Sequence, residues 1–176
     1  AGIKLIVKNT FEPAHPGTII TKDFVVEDSK IEIIAGSKEM VVIEVHDTSM
    51  VGEVGFDYEI MQILKKHNIS YVMKATNANS ISQVIWEKDL SDSLVNELKD
   101  KYTDIKIKEI AMVCLIGSNI SKPNILARAA QVLGENGINI NCVSISLSQV
   151  NIQFVVNREN YIESIKLLND NLMFEK

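Results

Sequence analysis

The chain repeats itself. Met40-Val-Val-Ile-Glu-Val45 opens a series made of an apolar strand-like run, a short polar loop, a helical pattern, two further strands and another helix. Roughly seventy residues later Met112-Val-Cys-Leu-Ile116 opens the same series. The clearest register sets Met61-Gln-Ile-Leu-Lys-Lys-His-Asn-Ile-Ser70 against Ala130-Gln-Val-Leu-Gly-Glu-Asn-Gly-Ile-Asn139, each an apolar helix end followed by a small polar turn. A repeat of this size means two copies of one small α+β unit, each too short to bury a comfortable core alone. Such paired units build ligand sites where copies meet, so the repeat leans toward binding rather than chemistry.

Composition narrows the class. The 176 residues are 46% hydrophobic and 23% charged, enough apolar mass for a core under an ordinary polar surface. The net charge of -5 argues against nucleic acid, whose affinity comes from Lys and Arg neutralising phosphates. No apolar run has membrane-spanning length and no signal-peptide pattern occurs. Cys114 and Cys142 lie in apolar strand-like segments without a CxxC or a His cluster, so they read as reduced core residues and the compartment as cytoplasmic. Asn68-Ile-Ser and Asn119-Ile-Ser fit the glycosylation pattern, which carries little weight without a secretion signal. Ala1-Gly-Ile-Lys-Leu-Ile-Val7 enters an apolar run at once and without Met, the expectation for a piece of a longer protein.

Local patterns place the elements. Ile3 to Val7 reads as a strand, 9–18 as a turn-rich loop carrying Pro13 and Pro16, and 21–29 as a linker. Lys30 to Ile34 alternates as a short strand ended by Gly36. The first copy, about 39–110, has a strand over 40–46 and a helix from near Gly52 with Val54, Tyr58, Met61 and Leu64 on its apolar face. Strands over 69–75 and 81–86 follow, then a helix capped by Ser91 and carrying Leu94 and Leu98, then a strand over 105–110. The second copy, 111–176, has Ser121 as a helix N-cap with Pro123 in the first turn and Ile125, Ala129, Val132 and Leu133 on one face. Strands over 138–147 and 151–156 and a helix with Tyr161, Ile165 and Leu168 complete it. The order β-α-β-β-α-β gives a ferredoxin-like antiparallel sheet with helices on one face. The second copy lacks its last strand, and 30–34 is the candidate to supply it.

Catalytic signatures are absent: there is no GxxxxGK[ST], GxGxxG, HExxH or GxSxG. His15, His46 and His67 are scattered; His67 suits a helix C-terminus, and Glu44, His46 and Asp47 read as a surface cluster. Trp86 is expected in the core or an interface. The loop Asp47-Thr-Ser-Met-Val-Gly-Glu-Val-Gly-Phe56 is different. Gly52 and Gly55 let a ligand approach backbone, and the following helix start offers unpaired N–H groups to a carboxylate. A plain flexible turn is the competing reading. Thr76, Asn77, Asn79 and Ser80 form a polar tip able to hold an α-amino group, or an ordinary hairpin end. Ser118-Asn-Ile-Ser121 replaces the glycines in the second copy, so the two copies are not equivalent sites.

Three segments in order, Val7-Lys-Asn-Thr-Phe-Glu-Pro13 with Pro16-Gly-Thr18, then Val45 to Phe56, then Leu115-Ile-Gly-Ser-Asn-Ile-Ser121, resemble the C-terminal part of aspartate kinase. The resemblance spans essentially the whole chain. It implies two ACT domains, 39–110 and 30–36 plus 111–176, that bind an amino-acid end product and inhibit a kinase phosphorylating aspartate. It implies that 1–29 is the end of the kinase domain and a linker. No catalytic or metal-binding residue and no cofactor would belong to this part; ATP and magnesium would bind the missing kinase domain. The partners implied are a second copy, through the ACT domains, and a lysine or threonine effector, with no nucleic acid and no membrane. Carried over residue by residue, the effector contacts are Met50, Gly52, Val54, Gly55, Phe56, Asp57, Tyr71, Val72, Thr76 and Asn77. One departure stands out: lysine-inhibited relatives have an acid where Val72 stands, so Glu53 or Asp57 must replace it or the effector is not lysine. A freestanding amino-acid sensor predicts the same site but leaves 3–18 unexplained. A nucleic-acid module would need a basic, aromatic sheet face, which the charge disfavours.

Overall fold

The computed structural model describes residues 5–20, 29–120, 123–145, 147 and 150–173. Strands β1 (Leu5–Val7) and β2 (Thr18–Ile20) form a small antiparallel ribbon apart from the main sheet. The main sheet has six antiparallel strands in the order β4-β5-β3-β6-β8-β7. These are β3 (Lys30–His46), β4 (Met73–Thr76), β5 (Ser80–Trp86), β6 (Asp104–Ser118), β7 (Ile140–Ile145) and β8 (Asn151–Asn157). Helices α1 (Phe56–Lys66), α2 (Asp92–Lys101), α3 (Ile125–Glu135) and α4 (Tyr161–Leu172) connect them.

Two long strands hold the halves together. The segments 30–34 and 40–46 are not separate strands: Gly36 lies inside β3 rather than ending it, and 104–118 is likewise one strand. Residues 40–46 pair with β5 on one side and with 104–110 on the other, whereas 30–37 pairs with 112–118. Each half therefore shows the ferredoxin-like strand order, β4-β5-β3-β6 in one and β7-β8-β6-β3 in the other. A register shift between Ser37 and Met40 marks the crossover. Glycine is required beside it: a Cβ on Gly36 would lie 2.0 Å from the Met112 carbonyl oxygen; likewise one on Gly117, beside a second shift between Ile31 and Ile33, would lie 2.0 Å from that of Lys30.

Alternation along the strands sorts the core. Val41, Ile43 and Val45 pack with Ile60, Ile63 and Leu64 of α1 and Leu94 and Leu98 of α2. Ala111, Val113 and Leu115 pack with Ala129 and Leu133 of α3 and Leu168 of α4. The other face carries a cluster drawn from strands alone among the described residues: Met40, Met73, Val84, Ile110, Met112 and Val155, buried against one another. The outermost strands, β4 and β7, also touch. The sheet thus coils until its two helix-free halves face each other.

The repeat reappears in the helix ends. Ile69 N–H donates to the Leu64 carbonyl and Ile138 N–H to that of Leu133, both at 2.9 Å. Asn68 (φ 56°) and Gly137 (φ 72°) occupy the left-handed position in each turn. This is the Schellman closure, made twice at the register read from the sequence. Ser91 caps α2, its Oγ accepting from Leu94 N–H at 3.3 Å.

Several boundaries differ from the sequence reading. Helix α1 starts at Phe56 rather than near Gly52, because Gly52 (φ 83°) and Gly55 (φ 92°) are left-handed and cannot join a right-handed helix. Its buried residues are Ile60, Ile63 and Leu64, whereas Val54 is 95% exposed and Tyr58 projects outward. The strand placed over 69–75 begins at Met73, since Asn68 and Ile69 close the helix and Val72 N–H bonds the Val84 carbonyl ahead of the ladder. Helix α3 starts at Ile125 after Asn124 (φ 83°), so Pro123 precedes it; the proposed cap Ser121 and most of the linker, 21–28, fall outside the described residues. The strand over 138–147 is Ile140–Ile145. Trp86 ends β5 partly exposed.

Candidate functional site

The polar loop after β3 is anchored at both ends. Asp47 Oδ1 accepts from Ser49 N–H at 2.8 Å, opening a short 3-10 turn over Thr48–Met50. Hydrogen bonds from Ser49 hold the Asp47 carboxyl below its ordinary range. The Met50 side chain drops into the first core, so of the carried-over contact residues this one faces inward. Phe56 also turns inward, its ring 5.5 Å from that of Tyr102. Gly52, Val54 and Gly55 remain on the surface, and a Cβ on either glycine would meet nothing within 4 Å.

The hairpin tip joins this loop. Asp47 N–H donates to the Asn79 carbonyl at 2.9 Å, and Asn77 N–H to the Ser80 carbonyl at 2.8 Å. Asn79 Nδ2 lies 3.1 Å from His46 Nε2, while His46 Nδ1 lies 3.1 Å from Asp104 Oδ2. That pattern fits an imidazole accepting at Nε2 and donating at Nδ1. Glu44 accepts from Ser82 Oγ at 3.0 Å and stands 3.7 Å from Lys106. The suspected Glu44, His46 and Asp47 cluster is thus three separately partnered groups.

A second link runs from the helix to the edge strand. Asp57, in the first turn of α1, places Oδ2 2.6 Å from Lys74 Nζ on β4. Its other oxygen, Oδ1, is shielded from solvent with no protein partner. The sequence reading named Asp57 but missed Lys74, which the helix-to-strand distance of 17 residues alone does not reveal. Val72 packs on the helix-free cluster with Met73 and Val84. Tyr71 lines a shallow depression with Met61, Lys65 and Asn68 at the end of α1. Thr76 and Asn77 are exposed near the tip.

The second half lacks this arrangement. Its strand–helix connection takes left-handed turns at Asn119 and Asn124 instead of glycines. Cys114 and Cys142 are free thiols, and burial pushes both up from the usual thiol range, with Glu44 adding to the effect at Cys142. His67 pairs with Glu97 at 2.8 Å. Among the described residues no group of three His, Cys, Asp or Glu side chains is placed to hold a metal, and no helix is long and apolar enough to cross a membrane.

Residues 113–172 match the family model for the ACT domain. An aspartate kinase of Stutzerimonas stutzeri is 37% identical over 171 residues, covering 96% of this chain and 36% of that protein. The crystal structure of the Clostridium acetobutylicum aspartate kinase matches at TM-score 0.85 and 27% identity, over 98% of this chain and 42% of that one. Two further structures share the fold. Escherichia coli aspartokinase III, solved with lysine and aspartate, has a TM-score of 0.78 at 24% identity over 98% of this chain and 40% of its own. The regulatory subunit of the Thermus thermophilus aspartate kinase has a TM-score of 0.72 at 16% identity and is matched over its full length by 84% of this chain. The chain spans about a third of the length of the Stutzerimonas relative.

Proposed function

We propose that this chain, which is similar to aspartate kinases along nearly its whole length and carries an ACT domain in 113–172, is an amino-acid-sensing regulatory region of such an enzyme. The observation that carries the reading is the joining of the glycine-bearing loop to the hairpin tip, through Asp47 N–H and the Asn79 carbonyl. The loop offers exposed backbone at Gly52 and Gly55 and the tip offers the polar groups of 76–80, a combination suited to the two ends of a zwitterion. The effector is an amino acid of the lysine or threonine kind. A second copy supplies the other wall of the site, burying Val51, Val54 and Tyr58, which the single chain leaves in water.

Regulation follows as a shift of populations. An amino acid that binds one dimer arrangement better than another favours it by its differential affinity. Phosphorylation of aspartate, with ATP and magnesium, belongs to a kinase domain to which this region contributes no catalytic group. The two units are 39–110 and 30–36 plus 111–176.

The ribbon β1–β2 favours a kinase-linked region over a freestanding sensor. Leu5, Ile6, Val7, Ile19 and Ile20 are all exposed, and Phe11 at its tip is 97% exposed. A two-stranded ribbon is marginal in water, so these side chains call for a further surface to cover them. Thermal unfolding with lysine, threonine and methionine tests the effector reading, because a ligand of the folded state raises the midpoint. A rise with an amino acid supports it; an unchanged midpoint with all of them refutes it.

A further inference from the structure

The acid of the candidate site already has a cation. Lys74 Nζ stands 2.6 Å from Asp57 Oδ2, and both side chains are partly withdrawn from water, 29% exposed for Lys74 and 43% for Asp57. Val72 faces a different cluster, and Glu53 lies on the exposed part of the loop. Asp57 Oδ1 is shielded from solvent, so it is closed to a ligand as well.

Resting on the effector reading above, we propose that Lys74 is a specificity-determining residue: by occupying Asp57 it restricts the site to amino acids with uncharged side chains and excludes lysine. Every α-amino acid brings one ammonium, which the polar tip over 76–80 is suited to accept. Lysine brings two. Its ε-ammonium must either displace Lys74, stranding that cation in a half-buried place, or sit beside Lys74 without a counter-charge. An uncharged side chain asks for neither.

The test is isothermal titration of the 176-residue chain and of Lys74→Met with threonine, methionine and lysine. Wild type is expected to bind an uncharged amino acid and to bind lysine at least about tenfold more weakly. Lys74→Met frees Asp57 and is expected to tighten lysine by about tenfold or more while the uncharged ligand changes less. Lysine binding to wild type as tightly as the uncharged amino acids overturns the proposal, as does a Lys74→Met chain whose lysine affinity is unchanged. Absence of binding by every amino acid to both chains overturns the effector reading itself, which separates the two failures. Far-UV circular dichroism checks the fold, and Lys74→Gln repeats the test should Lys74→Met unfold.

Discussion

Arg158 and Glu87 hold the same place in the two halves and are bonded to each other. Each is the first residue of the 3-10 turn that follows its strand, Glu87 after β5 and Arg158 after β8. Arg158 Nη1 donates to Glu87 Oε1 at 3.2 Å and Nη2 to Oε2 at 3.0 Å, a forked pair. Nη2 also donates to the Met40 carbonyl at 3.0 Å, and Nη1 stands 2.9 Å from Glu109 Oε2. One copy supplies the cation and the other the anions, at the point where β3 and β6 pass between the halves.

Arg158→Ala is therefore expected to destabilise the chain by about 1–2 kcal/mol, since the guanidinium is three-quarters buried (25% exposed) while its acids remain largely in water. Lysine cannot form the fork, so Arg158→Lys should recover little of the loss. Urea denaturation of both variants measures this. A loss under a few tenths of a kcal/mol in Arg158→Ala would show that the clamp does not hold the halves together.

Glycine substitutions separate close approach from backbone conformation. Gly36→Ala drives a methyl group into the Met112 carbonyl and is expected to cost roughly 3 kcal/mol or more. Gly52→Ala meets open space and bears only its left-handed φ, about 1 kcal/mol. Equal midpoints for the two variants in a thermal melt would contradict the interlocked strands.

The register of α1 is testable with two truncations. Leu64 is fully buried in the first core, so Leu64→Ala should cost about 3 kcal/mol. Val54→Ala, in the exposed loop, should fall within about 0.5 kcal/mol of wild type. A loss at Val54→Ala comparable to that at Leu64→Ala would restore the helix start near Gly52.

Tyr102 predicts a loss of stability at high pH. Burial first, then the carboxylates of Glu59 and Asp47, push its hydroxyl up to about 12 from an ordinary 10.0. The folded state thus holds the phenolic proton more tightly than the unfolded chain does. Its contribution is complete below pH 10 and disappears as pH rises from 10 toward 12. Absorbance at the phenolate band should show one of the four tyrosines titrating late. The Tyr102 hydroxyl is buried without a partner, so Tyr102→Phe should stay within about 1 kcal/mol of wild type at neutral pH and remove the alkaline drop. An alkaline midpoint that falls equally in Tyr102→Phe would assign the drop to other groups.

Local chemistry made much of the fold legible. The period of Leu94 and Leu98, the Ser91 cap and the matched helix ends at Asn68 and Gly137 are written in neighbouring residues, and each lies in the structure where its pattern places it. The helix starts four residues later than the spacing of Val54, Tyr58, Met61 and Leu64 predicts, because Gly52 and Gly55 take left-handed backbone angles that exclude a helix. Apolar periodicity cannot see a sign of φ.

The sequence by itself determined the doubled α+β unit, the positions of most strands and helices, and a glycine-bearing loop between a strand and a helix. Tertiary structure decided the rest: that 30–46 and 104–118 each run unbroken through both halves, that β4 meets β7, and that Asp57 meets Lys74 and Glu87 meets Arg158. Those pairs lie 17 and 71 residues apart. Their meeting depends on sheet register, and for Glu87 and Arg158 also on the bulge between Ser37 and Met40; a shift of a single residue would turn a strand's side chains to the opposite face.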